Sequence, residues 1–116
     1  MSNLDSTTEL EVNVKMDEET PVIELTGRII DADVKKFQRK IDQFYKKKYP
    51  RIILDVSRAT FMDSHGLGTL VYYHTLMQKE KRELVILNSN KDGESYLNRL
   101  FELTNLDKVL IIFDKL

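Results

Sequence analysis

The sequence predicts one α/β domain: a mixed, mostly parallel β-sheet with an N-terminal hairpin and helices packed on it, in the order β-β-α-β-α-β-α-β. Three observations predict it. Two alternating segments flank a polar turn near the start. Segments of helical period then alternate with short apolar runs, the pattern of parallel strands joined by right-handed crossovers. Two of those runs, Arg51–Val56 and Leu84–Leu87, are almost continuously apolar, as strands buried on both faces require.

Residues 1–8 are polar and read as a flexible N-terminal tail, leaving 9–116 as the domain. Leu10, Val12, Val14 and Met16 alternate with Glu9, Glu11, Asn13 and Lys15, a half-buried strand of period two. Asp17–Thr20 is a polar turn, and Pro21–Thr26 a second strand that Gly27 closes, so the pair forms a hairpin. Val34, Phe37, Ile41 and Phe44 then recur at intervals of three and four, a helix over about residues 32–48. Asp31 or Asp33 is expected to cap it, Lys46-Lys47-Lys48 complements its dipole, and Pro50 stops it. After the strand Arg51–Val56, a second helix runs from the Asp63-Ser64 region to about Lys81. Its expected apolar stripe is Leu67, Leu70, Val71, His74 and Met77. Leu84–Leu87 is the next strand and Asn88–Gly93 a loop. Glu94–Leu103 is a third helix, and Val109–Phe113 the last strand.

Composition removes several classes of function. The chain has no cysteine, which excludes disulfides, thiolate zinc sites and cysteine nucleophiles. Its 18 basic and 19 acidic residues give a net charge of −1, without the basic excess of a direct nucleic-acid binder. Met1–Thr8 has no apolar core, so no signal peptide is expected, and no apolar run is long enough for membrane insertion. No metal or other cofactor is expected: two histidines nine positions apart match no zinc spacing. Gly66-x-Gly68 lacks the lysine and further glycine of a phosphate loop.

Ser64 is the residue that invites a chemical reading. A serine nucleophile needs a histidine within reach, itself oriented by a third group. His65 is adjacent and diverges by about 100° on a helix, while His74 lies about 15 Å further along the axis, so neither serves as the base. Asp63 and Ser64 are both preferred helix caps. A lone Asp-Ser at a helix start is a cap.

The longer pattern points further. A strand at Arg51–Val56 followed by Phe61-Met62-Asp63-Ser64-x-Gly66-Leu67-Gly68-x-Leu70 closely resembles the signature of bacterial anti-sigma factor antagonists, the STAS-domain family. The likeness covers about residues 9–114, making 9–116 a STAS domain. It implies a cytoplasmic binding protein rather than an enzyme. Ser64 would be phosphorylated by a partner that is both serine kinase and anti-sigma factor, and a serine phosphatase would reverse this. The unphosphorylated form would bind the kinase and free the sigma factor. A scaffold or subunit of a stress-signalling or membrane-transport complex, with constitutive partner binding, is the alternative reading of the same domain.

The expected partner-binding residues are Asp63, Ser64, His65, Gly66, Thr69, Tyr72 and Leu76, with Asp31. His65, Thr69, Tyr72 and Leu76 are placed on the face opposite the apolar stripe. Two departures from the family pattern bear on the partner. Ile30 stands where an acid is usual three residues after Gly27, with Asp31 one place later, and His65 is bulkier than the usual small residue.

Overall fold

The computed structural model describes residues 9–90 and 95–116. The expected flexible tail at 1–8 therefore lies outside the described residues, as do residues 91–93 of the expected 88–93 loop and Glu94.

Five strands form one sheet in the order β1-β2-β3-β4-β5: β1 (Glu11–Asp17), β2 (Thr20–Ile29), β3 (Arg51–Met62), β4 (Glu83–Leu87) and β5 (Ile111–Phe113). The hairpin β1–β2 is antiparallel and the other three pairings are parallel, as expected. Three helices fill the crossovers: α1 (Asp31–Lys46), α2 (Ser64–Lys79) and α3 (Tyr96–Leu103).

Because the strands advance in one direction across the sheet, right-handed crossovers place every helix on the same face. The packing agrees. Val34, Phe37 and Ile41 of α1, Leu70 and Met77 of α2, and Leu97 and Phe101 of α3 share one core with Ile23, Leu25, Ile52, Leu54, Leu84 and Ile86. The alternate strand residues Val22, Ile53, Val85 and Leu87 form a second, smaller cluster on the other face. β3 and β4 are thus buried on both sides, which explains their continuous apolar runs.

Several boundaries differ from expectation for local reasons. Gly27 does not close β2 but lies within it at φ 104°, a conformation that favours glycine. Register shifts between Glu24/Thr26 and Gly27/Arg28 mark bulges there, and they carry β2 to Ile29 and β3 to Met62. The last strand begins at Ile111, because the N–H groups of Val109 and Leu110 bond to Leu106 O in a 3-10 turn. Ser95 caps α3, accepting from Asn98 N. Only Leu10 and, in part, Val12 bury the apolar side of the first strand; α1 lies against β2 and β3, so Val14 and Met16 protrude at the edge.

α1 and α2 both end with a lysine in the left-handed conformation, Lys48 and Lys81. In each, the N–H groups of that lysine and of the following residue turn back to helix carbonyls: Lys81 to Gln78 and Arg82 to Met77 in α2, Lys48 to Tyr45 and Tyr49 to Phe44 in α1. This is the Schellman ending, with lysine where glycine is usual.

Candidate functional site

The extension of β2 and β3 by the bulges brings the ends of both strands together, and with them the starts of α1 and α2. Asp63 N donates to Ile29 O at 3.1 Å across this junction. The Asp63 side chain then serves both helices. Its Oδ1 accepts from Gly66 N at 3.0 Å, capping α2, and its Oδ2 accepts from Asp31 N at 2.8 Å, at the first residue of α1. Contrary to expectation, neither Asp31 nor Asp33 caps α1. The N-cap is Ile30, which has no side chain able to do so, and the remote Asp63 supplies the acceptor instead.

Ser64 is the first residue of α2 and is exposed; its hydroxyl makes no hydrogen bond with a described residue. His65, also exposed, places Nδ1 2.5 Å from Oδ1 of Asp31. The structure therefore gathers Asp31, Asp63, Ser64 and His65 at one corner. An acid and an imidazole are paired there, but no hydrogen bond joins Ser64 to His65, so the arrangement lacks the proton transfer a nucleophilic serine requires.

Gly66 is buried under β2 and β3. A Cβ there would stand 2.7 Å from Met62 Cγ and 3.1 Å from Ile29 Cγ2, so shape dictates the glycine. At Gly68 nothing lies within 4 Å of the same atom.

The inward face of α2 is rotated from the expected one. Gly66, Thr69, Leu70, Tyr73, His74 and Met77 are buried, whereas Leu67, Val71 and Leu76 are each half-buried against the core. Thr69, expected on the exposed face, is only 8% exposed and donates its hydroxyl to His65 O. α2 packs against α1 as well as against the sheet, and that second contact buries Thr69 and Tyr73. Tyr73 OH donates to Asp42 Oδ1 of α1 at 3.2 Å; burial first, and then the Asp42 charge, pushes its pKa up to about 12. Tyr72 remains 58% exposed, edge-on to the Tyr73 ring. His74 is buried in the core as expected, though its Nδ1 finds no hydrogen-bond partner among the described residues.

A shallow groove runs between α1 and α2. At the Ser64 end a pocket of about 370 Å³ is lined by Gln38, Ser64, His65, Gly68, Thr69 and Tyr72. It continues past Gln38 and Tyr72 into a second hollow of about 560 Å³, where Lys35, Arg39, Asp42 and Tyr73 complete the walls. Sequence reasoning missed this α1 wall, since no local pattern records which face of α1 meets α2. Among the described residues no cluster of His, Asp and Glu is arranged to hold a metal ion, and no helix is long and apolar enough to cross a membrane.

The fold is shared with proteins of known structure. An anti-sigma factor antagonist from Mycobacterium paratuberculosis superposes with a TM-score of 0.77 at 19% identity, over 100% of this chain and 92% of that one. SpoIIAA, an anti-sigma factor antagonist, in its unphosphorylated form gives 0.70 at 22% identity, over 89% of this chain and 88% of its own. The phosphorylated form of SpoIIAA, a Bacillus cell fate determinant, gives 0.64 at 21% identity, over 89% and 91%. At such identities these likenesses establish the fold. Membership rests on the sequence itself, because the STAS domain model matches residues 11–116, nearly the whole chain. The chain belongs to the STAS domain family.

Proposed function

We propose that this protein is an anti-sigma factor antagonist controlled at Ser64. Unphosphorylated, it binds an anti-sigma factor that is also a serine kinase, and so releases a sigma factor. Phosphorylation of Ser64 ends the binding, and a serine phosphatase restores it. The protein acts in the cytoplasm as a binding partner and not as an enzyme.

One observation supports this reading: the residue that caps α2 is Asp63 and not Ser64. Asp63 accepts N–H groups of both helices, and the Ser64 hydroxyl is exposed, with no hydrogen bond to a described residue. The serine is therefore dispensable for the fold and accessible to a kinase. A phosphate there adds about −1.5 to −2 charges at a helix N-terminus, which tolerates an anion. A partner docked over Asp63 and the α1–α2 groove would meet that charge as repulsion. Tyr72 is the residue of the groove best placed to contact the partner, with Leu76 half-buried behind it; Thr69 contributes to the shape of the wall rather than to contact.

The test is incubation with a serine-kinase anti-sigma factor and ATP. The expected result is a phosphate-sized mass increase, absent in Ser64→Ala, and loss of the complex once the phosphate is on. A wild-type chain that stays unmodified, in a complex indifferent to Ser64→Glu, would replace this reading with that of a constitutive scaffold. Tyr72→Lys should weaken the complex without affecting folding.

A further inference from the structure

We propose that His65 is the counter-ion of a phosphoserine at position 64, and that it is drawn there from Asp31, so that modification is felt at the first turn of α1. The proposal rests on the reading of Ser64 as the modified residue and adds a route by which the change spreads.

The His65–Asp31 pair is built to exchange. The two side chains are 48% and 83% exposed, and they are held chiefly by each other. Asp63, by contrast, has both oxygens committed to backbone N–H groups and does not turn away. Ser64 and His65 line the same pocket, and among its six lining residues His65 alone can carry positive charge. Lys35 and Arg39 stand on the adjoining stretch of groove, beside Tyr72 and Tyr73. A phosphate ester on Ser64 thus arrives beside two carboxylates, Asp31 and Asp63, with one imidazole in its own pocket. A dianion with three acceptor oxygens competes well against a single exposed carboxylate for that ring.

Loss of His65 leaves Asp31 facing Asp63 and the phosphate without a cation. The Asp31 N–H to Asp63 bond is then the side-chain cap left at the start of α1 among the described residues, since Ile30 gives none. The first turn of α1 should open more often, and that turn leads directly into Lys35, Gln38 and Arg39, the α1 wall of the groove. Phosphorylation would in this way alter both the end and the side of the docking surface.

The experiment uses the full chain with phosphoserine inserted at position 64 during translation, in wild-type and His65→Gln backgrounds. In the wild type the phosphorus-31 titration should fall at a pH lower by about half a unit or more than in His65→Gln, as a cation beside the phosphate requires. Amide exchange at Asp31 and the following residues should rise several-fold on phosphorylation in the wild type. In His65→Gln it should already be fast, and the phosphate should not change it. Identical phosphorus titrations in the two backgrounds would overturn the proposal. So would a titration that moves with Lys35→Ala or Arg39→Ala but not with His65→Gln, or α1 amides indifferent to the phosphate. Because the phosphate is placed without a kinase, failure here leaves the kinase reading standing, and a failed kinase assay leaves this result intact.

Discussion

The two ends of the α1–α2 pair are fastened by opposite chemistries. Beside Ser64, the carboxylate of Asp63 collects backbone N–H groups from the start of each helix. At the far end, the guanidinium of Arg82 donates to the carbonyls of Tyr45 and Tyr49, which lie at and just beyond the end of α1. Arg82 also donates to Glu80 at 2.7 Å and lies over the Tyr45 ring at 4.4 Å, while Tyr45 OH donates to Glu80. Each anchor has the sign that the helix dipole favours, an anion at the N-termini and a cation at the C-termini. They differ in depth. The Arg82 side chain is only 9% exposed, whereas the Asp63 corner opens onto exposed Ser64, His65 and Asp31. One end is a sealed fastening and the other is left open to modification.

Removing each anchor tests that contrast most strongly. Arg82→Ala strips partners from two carbonyls, together with the packing over Tyr45, and should cost about 2–4 kcal/mol in urea unfolding. Asp63→Ala removes two cap bonds in a more open setting and should cost about 1–2 kcal/mol. Equal losses would mean that the two ends do not differ as their burial suggests. The same pair of variants separates fold from function, since Asp63→Ala should also disturb Ser64 and partner binding, while Arg82→Ala acts on stability.

Alkaline pH should load the seam between the helices, where the phenol of Tyr73 is buried. Burial, reinforced by the Asp42 charge, raises the Tyr73 phenol from its ordinary value near 10 to about 12. Tyr45 is also raised, first by its hydrogen bond to Glu80. For Tyr73 the sign follows from proton counting. Between pH 10 and about 12 the unfolded chain releases this proton and the folded chain keeps it, so stability falls with rising pH. The loss attributable to Tyr73 should be about 1–2 kcal/mol, measured as the difference in unfolding free energy between wild type and Tyr73→Phe across that window. A difference that stays constant with pH would show that the phenol is not held in its neutral form.

What the sequence disclosed and what it withheld follow the range of the interactions. The alternating hairpin, the two apolar strands and the period of α1 depend on neighbours within a few residues, and all were legible. The cap of α2 was legible as well, since Asp63 meets Gly66 N three positions on, but the other contacts of the Ser64 corner depend on the fold. Asp63 reaches Asp31 across 32 positions, and His65 reaches Asp31 across 34. No local pattern could reveal that Asp63 would start a helix on which it does not lie. The orientation of α2 is hidden from the sequence for a related reason. Apolar residues at helical spacing mark the face turned to a sheet, but Thr69 and Tyr73 are buried by a neighbouring helix, and a threonine and a tyrosine look like surface residues until that neighbour is placed.

The smallest effects concern the two glycines after Ser64, which a sequence motif treats alike and the structure does not. At Gly66 a methyl group would meet Met62 Cγ at 2.7 Å and Ile29 Cγ2 at 3.1 Å, atoms of the two strand ends that form the corner. The Met62 side chain can yield a little, and alanine gains some helix propensity, so Gly66→Ala should have a net cost of about 1 kcal/mol, near the low end of overpacking penalties. Gly68 has open space around its missing Cβ and lines the pocket beside Ser64. There alanine should stabilise α2 by about 0.5–1 kcal/mol, since a glycine within a helix loses more chain entropy on folding. If Gly68→Ala raises the unfolding midpoint and leaves partner binding intact, this glycine has no role in contact. If it raises the midpoint and weakens binding, the partner's surface comes closer to the α2 backbone at residue 68 than a methyl group allows. That outcome would place the docked partner directly over the pocket that Ser64 and His65 share.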